Sequence, residues 1–267
     1  HGLREGEAFE MRLNATYPVS EYTVQYQETD FAFVSRLLEH YGIHYFWRQL
    51  PDGDFLVFGD ANGAFDRLDE DGAPVQYRRR DLPPGTAAGV LTLERIARRR
   101  PQGVMLRDYN WRTPKVRLHS EAAVDDVTGV GFHNHYGEHF KDPGAGTFLA
   151  GIRAEQLLVD RERYEMRTAL GHLQPGHRFE LAGHPSGEMD RDYVATEVSR
   201  FVSRQEEHVA EPFVQTAEAI PYDVVFRPAR ETPKPKILGL MHGHVDGEAP
   251  GTAAPIDEYG RYKVLLP

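Results

Sequence analysis

Residues 28–42, "ETDFAFVSRLLEHYG", constrain this chain more tightly than any other stretch, because they specify a helix, both of its ends and the breadth of its apolar face. Thr29 or Asp30 can accept hydrogen bonds from the free amides of the first turn, acidic side chains sit at the positive end of the dipole, and Gly42 stands where a left-handed residue ends the helix. Phe31, Val34, Leu38 and Tyr41 form a stripe at helical spacing, widened by Phe33 and Leu37. Such a helix requires cover over a broad face. Directly behind it, "IHYFWRQLPDGDFLVFGD" gives two alternating, aromatic-rich runs about Pro51, Asp52 and Gly53, which supply the dihedral angles of a hairpin turn. "EYTVQYQ" (21–27) reads as a strand in front of the helix, so the unit is strand, helix, hairpin.

Elsewhere the signals are those of a β protein. Residues 63–90 dissolve into Gly, Pro and charge, as loops around short strands do, and "GVLTLERIARR" and "GVMLRDYNW" resume alternation. Residues 147–168 carry the second helical stretch, with Ile152, Leu157 and Leu158 among many Glu and Arg residues. "GHRFELAG" and "YVATEVSRFVS" flank a turn as an antiparallel pair, and "RPARETPKPKI" (227–237), with three prolines, reads as a semi-rigid linker. In the closing "DEYGRYKVLLP", Asp257, Glu258 and Gly260 make a turn that feeds a strand with Tyr262 and Val264 on its inward face. The expected fold is mainly β with two helices (α+β), in at least two globular parts plus a last part barely begun.

Charge and composition remove whole classes of function. With 41 acidic against 31 basic residues the net charge is -10, so a nucleic-acid backbone is repelled on average. The arginine runs 78–80 and 98–100 are local exceptions, read as solvated faces or as contacts with an acidic neighbouring subunit. The absence of cysteine removes disulfides, thiolate metal sites and thiol catalysis, and no run of about 18 apolar residues marks a membrane span. Ser186 in "GHPSG" lacks the spacing of a nucleophile elbow and fits a turn, and no glycine-rich nucleotide loop or zincin motif occurs. "GFHNHYGEHF" is the sharpest chemical candidate: His133 and His135 at i and i+2 project to one face of a strand, and Glu138 or His139 could complete a metal site in the manner of a cupin. Glu138 follows the second histidine more closely than that motif prefers. His242 and His244 repeat the spacing without carboxylate neighbours before Asp246. No catalytic set and no cofactor site emerges.

"YPVSEYTVQYQETDFAFVSRLLEHYGIHYF" (17–46) carries a pattern of Gln-Tyr-x-Glu-Ser-Asp-Phe, an Arg-Leu-Leu-Glu helix, a Gly-Ile turn and an aromatic strand, matched by Gln25, Tyr26, Glu28, Asp30, Phe31, Arg36, Leu37, Leu38, Glu39, Gly42 and Ile43, with Thr29 for the usual Ser. "HYGEHFKDPGAGTFLAGIRAEQLL", "LQPGHRFELAGHP", "FRPARETPKPKILG" and "DEYGRYKVLLP" follow in order. In this the chain resembles the VgrG family, the spike-tip proteins of bacterial type VI secretion, which are similar to the baseplate hub and spike of contractile phages.

The resemblance implies an architecture and a set of partners. A remnant of a first hub β-barrel is expected at 1–16 and about 85–125, and the strand-helix-hairpin subdomain at 17–84. A second hub barrel follows at 126–226 with helix 147–168, then the proline linker at 227–237 and the start of an oligonucleotide/oligosaccharide-binding (OB)-like spike barrel at 238–267. It also implies a structural role rather than an enzymatic one. Three copies form a ring on the hexameric Hcp tube, among baseplate components, and a trimeric spike carries a PAAR tip or effectors; assembly takes place in the bacterial cytoplasm before secretion. Threefold closure requires heterologous contacts around the ring.

Departures matter as well. Roughly a hundred residues that open the family's first barrel are not here, and the chain begins at His1 rather than Met, so a fragment is expected. "MHGHV" stands where the family has Ala-x-Val-Val-Gly. Two other readings remain: a cupin-like metal-dependent enzyme using His133, His135 and Glu138, and a phage tail baseplate hub, which shares the fold.

Overall fold

The computed structural model describes residues 4–51, 53–68, 71–78, 89–202, 213–247 and 256–266. Asp52 of the hairpin turn, Arg79, Arg80, and residues 69–70 and 81–88 of the loop region lie outside the described residues.

Strand β1 (Phe9–Arg12) precedes helix α1 (Asp30–Tyr41). Thr29 is the cap: its side chain accepts from the Ala32 amide, and Gly42 closes the helix at φ +67°. A Cβ at Gly42 would lie 2.7 Å from Ile152 and 2.8 Å from Arg227, so the turn is both left-handed and tightly covered. The hairpin forms as expected from β2 (His44–Leu50) and β3 (Gly53–Gly59), and β1 joins β3 in parallel. One face of this sheet buries Phe46, Phe55 and Val57.

One expectation for this unit fails and another holds only in part. Residues 21–27 form no strand; polar groups at their end and just beyond serve the helix instead: Gln25 donates to Asp30, and the Val24 carbonyl and the Glu28 carboxylate both accept from Arg36. The expected apolar stripe is covered only over its C-terminal half, where Tyr41 packs against the core under the second helix and Leu38 is half-buried. Phe31 is 65 % and Val34 44 % exposed, whereas Ser35 is buried. The helix turns its Ser35, Leu38 and Glu39 side toward the body, and Phe31 meets the edge of Tyr45.

After short strands β4 (Asp66–Arg67) and β5 (Val75–Gln76) come β6 (Val90–Ala97), β7 (Gly103–Asp108), β8 (Leu118–Ala123), β9 (Phe132–Tyr136), α2 (Pro143–Val159), β10 (Glu162–Thr168), β11 (His177–Ala182), β12 (Asp192–Val202) and β13 (Phe213–Pro221). Helix α2 therefore starts and stops earlier than the expected 147–168. Asp142 caps it on the Ala145 amide with Pro143 in the first turn, and Asp160 ends it. From Glu162 the period becomes two, with Tyr164, Met166 and Thr168 inside and Glu165 outside. The Glu and Arg residues that resemble a helix face are the outer face and edges of a strand.

A seven-stranded sheet runs β4-β11-β12-β13-β10-β6, with β5 on β11. Among the described residues its edges meet at a bridge between Tyr77 and Val90, so the sheet curls around Tyr164, Met166, Phe179, Leu181 and Tyr193. Residues 90–97, expected in a first-barrel remnant, thus pair with β10. The smaller sheet β8-β7-β9 packs Val104, Leu106 and Leu118 against Leu149, Ala150 and Ile152 of α2.

The last described pair, β14 (His244–Val245) and β15 (Val264–Leu265), is antiparallel. Its turn forms as read, with Gly260 at φ +73° and the Asp257 carboxylate accepting from the Tyr259 and Arg261 amides. Tyr262 and Val264 do not face a core, being 55 % and 47 % exposed. Two residues per strand build no second layer to cover them.

Glu94, Glu165, Glu218 and Glu197 stand as direct neighbours in one row across β6, β10, β13 and β12. Among the described residues, the one cation in contact with this row is Arg163, 3.0 Å from Glu218. Like charges directly opposite each other destabilise a sheet. Replacing the central member, Glu165→Gln, is predicted to raise the unfolding free energy by about 0.5–1 kcal/mol, a gain that shrinks at high ionic strength. Urea melts at low and high salt measure it.

Candidate functional site, an ionic junction under the proline strap

The turn after β9 presents Glu138 between Gly137 (φ +94°) and His139 (φ +65°), and its side chain is 1 % exposed. Arg153, projecting from the buried side of α2, grips it with Nε 3.1 Å from one carboxylate oxygen and Nη2 2.8 Å from the other. Arg230 adds a third bond at 3.0 Å, and His40 of α1 lies 3.7 Å away. Burial pushes this carboxyl upward, but the hydrogen bonds and charge of Arg153, with the charge of Arg230, outweigh it and hold the pKa at about 2. Burial, reinforced by Arg153, pushes His40 down to about 4.

Around this carboxylate the segment after β13 is fastened to both helices. Asn62 accepts from the Phe226 amide and donates to the Tyr222 and Val224 carbonyls. Arg227 reaches the Gly42 carbonyl and Glu155. Gln156 spans the Glu39 and Pro228 carbonyls, and the Glu39 carboxylate accepts from the Glu231 and Thr232 amides and the Thr232 hydroxyl. Residues 226–232, which take in the first part of the span read as a semi-rigid linker (227–237), are a strap bonded to the body. Beneath it His44, 2 % exposed, stacks on Phe65 at 4.4 Å with neither ring nitrogen hydrogen-bonded to the described residues, and burial lowers its pKa to about 3.

The candidate metal residues separate. His133 and His135 share a face of β9, opposite Val104 and Leu106. His135 lies 3.4 Å from Glu138, His133 is exposed, and the His139 amide bonds to Asp108. Both Glu138 oxygens are committed to guanidinium groups. Among the described residues no group of three His, Cys, Asp or Glu is arranged to hold a metal. Ser186 lies in a turn, its amide donating to His184, and His244 is exposed on β14. Arg153, Gln156, Arg227 and Glu39 carry the junction; Glu39 stands out in the sequence as a matched residue of the family pattern, and the others lie unremarked inside its later blocks. A charged Arg153 flanked by buried Ile152 and Ala154 was the available signal.

The family profile described as phage tail baseplate hub (GPD) matches residues 3–206. The chain belongs to this family. Among relatives of this baseplate hub chain are the Pseudomonas aeruginosa type VI secretion system spike proteins VgrG4b, 31 % identical over 99 % of the chain, and VgrG5, 32 % identical over 99 %. The chain spans only 34 % and 35 % of their lengths. An actin cross-linking toxin VgrG1 of Vibrio cholerae is 26 % identical over 92 % of the chain, which spans 23 % of that protein. In fold, the hub chain matches an E. coli component of the type VI secretion system, itself similar to T4 bacteriophage tail proteins gp27 and gp5, with a TM-score of 0.66 and 23 % identity over 100 % of this chain and 57 % of that one. A Neisseria meningitidis tail protein matches at a TM-score of 0.55 and 14 % identity, over 82 % of this chain and 63 % of that one.

Two outcomes follow for the junction. Glu138→Gln leaves two guanidinium groups facing a neutral amide, and is predicted to cost about 3–5 kcal/mol in denaturant melts. His40 and His44 accept protons near pH 6.5 when unfolded but only near 4 and 3 when folded, so their neutral burial favours the fold fully above pH 6.5 and progressively less below it. The predicted loss between pH 6 and 5 is about 2.4 kcal/mol for the two histidines together, halved in His44→Leu. Below about 4.5 the ionised Glu138 adds its own loss, continuing to about pH 2.

Proposed function

We propose that this chain is the hub part of a type VI secretion spike protein, working by assembly and delivery of force rather than by catalysis. The observation that carries the reading is family membership over residues 3–206 together with the similarity to named spike proteins over 99 % of the chain. The junction supports it physically. Oriented, charge-assisted bonds tie the sheet, two helices and the strap leading to the last strands into one unit, as transmission of force along a spike requires. In this reading three copies close a ring on the Hcp tube, meet baseplate components, and bear a spike with a PAAR tip and effectors. The protein assembles in the bacterial cytoplasm and leaves by secretion. Binding of the purified chain to Hcp rings, with a three-copy mass in native mass spectrometry, is the expected result; a monomer that ignores the rings at all concentrations contradicts it.

Glu138 in this proposal is a structural anion. Metal analysis of the purified protein is expected to find no stoichiometric Zn, Fe or Mn, and His133→Ala to leave the melting temperature unchanged. A bound metal lost in His133→Ala would favour the cupin-like enzyme instead.

A further inference from the structure

The loop that follows β7, residues 139–141 and, from the turn 257–261, Tyr259 and Arg261 together wall an open cleft of about 670 Å3. Trp111 meets Tyr259 edge-on, with centroids 5.3 Å apart and planes at 88°. The Arg261 guanidinium lies 5.7 Å from the Trp111 ring centre and 5.2 Å from that of Tyr259, and Arg112 lies 5.0 Å from Trp111. We propose that loop 108–112 is a dedicated seat for the turn 257–261 of the same chain, and that this contact sets the direction in which β14 and β15 leave the body.

Both halves are held in shape by their own bonds. On the seat, Glu21 accepts from Arg112 at 3.0 and 3.1 Å and pairs with Lys141, while Asn110 donates to the Lys141 carbonyl and accepts from the Arg112 amide. On the turn, Asp257 both caps the loop amides and fixes Arg261 Nε at 2.6 Å. Surfaces already ordered lose little conformational entropy on meeting, so a few aromatic and cation–π contacts suffice to bias the equilibrium. The strand pair needs such a seat. It is two residues per strand, its apolar side chains are largely exposed, and among the described residues the strap's bonds to the body end at Thr232. The inference goes beyond the proposed function and does not depend on what the chain assembles with.

The chain has two tryptophans, Trp47 and Trp111, so Trp47→Phe leaves Trp111 as the sole tryptophan, excited selectively at the red edge of the absorption where tyrosine does not absorb. In that background, Tyr259→Ala and Arg261→Ala are each expected to shift Trp111 emission to the red and raise its quenching by acrylamide, since losing one such contact lowers the docked-to-undocked ratio about two- to five-fold. Tyr262→Ala, just past the turn and outside the cleft, is the control and is expected to change neither. Emission and quenching unaltered by Tyr259→Ala would overturn the proposal. A second measurement uses the absence of native cysteine: Tyr109→Cys with Glu258→Cys, treated with a short bis-maleimide, is expected to link within one chain. Links formed only between chains, or none at all, would overturn the assignment of the seat to its own turn.

Discussion

The buried Glu138 carboxylate is the constraint on which the arrangement of the body rests. An ionised carboxylate that is 1 % exposed persists only when its oxygens are fully engaged, and here the donors come from α2 and from the strap. Each donor fixes a direction as well as a distance. The geometry of the strap against the two helices is therefore specified more narrowly than apolar packing alone would specify it. The same bonds explain why Arg153 occupies a buried position on α2 between Ile152 and Ala154.

Local features are legible in the sequence and long-range ones are not. The Thr29 cap, the Gly42 stop, the β2–β3 hairpin and the Asp257–Gly260 turn all depend on residues within a few positions of each other, and all form as read. The end of helix α2 is ambiguous in sequence because Glu162, Arg163 and Glu165 suit a solvated helix as well as an exposed strand; cross-strand pairing with Ala97, Ile96 and Glu94 decides between them. Phe31 and Val34 mark an apolar stripe, yet the side of α1 that faces the body is chosen by Glu39 and Ser35, where Glu39 bonds to partners far along the chain.

The candidate site shows the same division. His133, His135 and Glu138 can be picked out by residue type and spacing, and two of them do lie close together. Their chemistry is set by Arg153 and Arg230, which are 15 and 92 positions from Glu138. A motif of metal-ligand type thus becomes the anion of a structural junction. The family pattern at 25–43 likewise makes sense in these terms, since Glu28 holds Arg36, Glu39 holds the strap, and Gly42 admits Ile152 and Arg227.

Through Glu138 the strap belongs to the body as one mechanical unit. Amide hydrogen exchange resolved at Phe226, Glu231 and Thr232, whose N–H groups bond to Asn62 and Glu39, tests it most directly. The account predicts slow exchange at all three in the native protein, and in Glu138→Gln a marked acceleration at Glu231 and Thr232 while amides of β12 and β13 stay protected. Fast exchange at these positions in the native protein, or protection indifferent to Glu138→Gln, would contradict it.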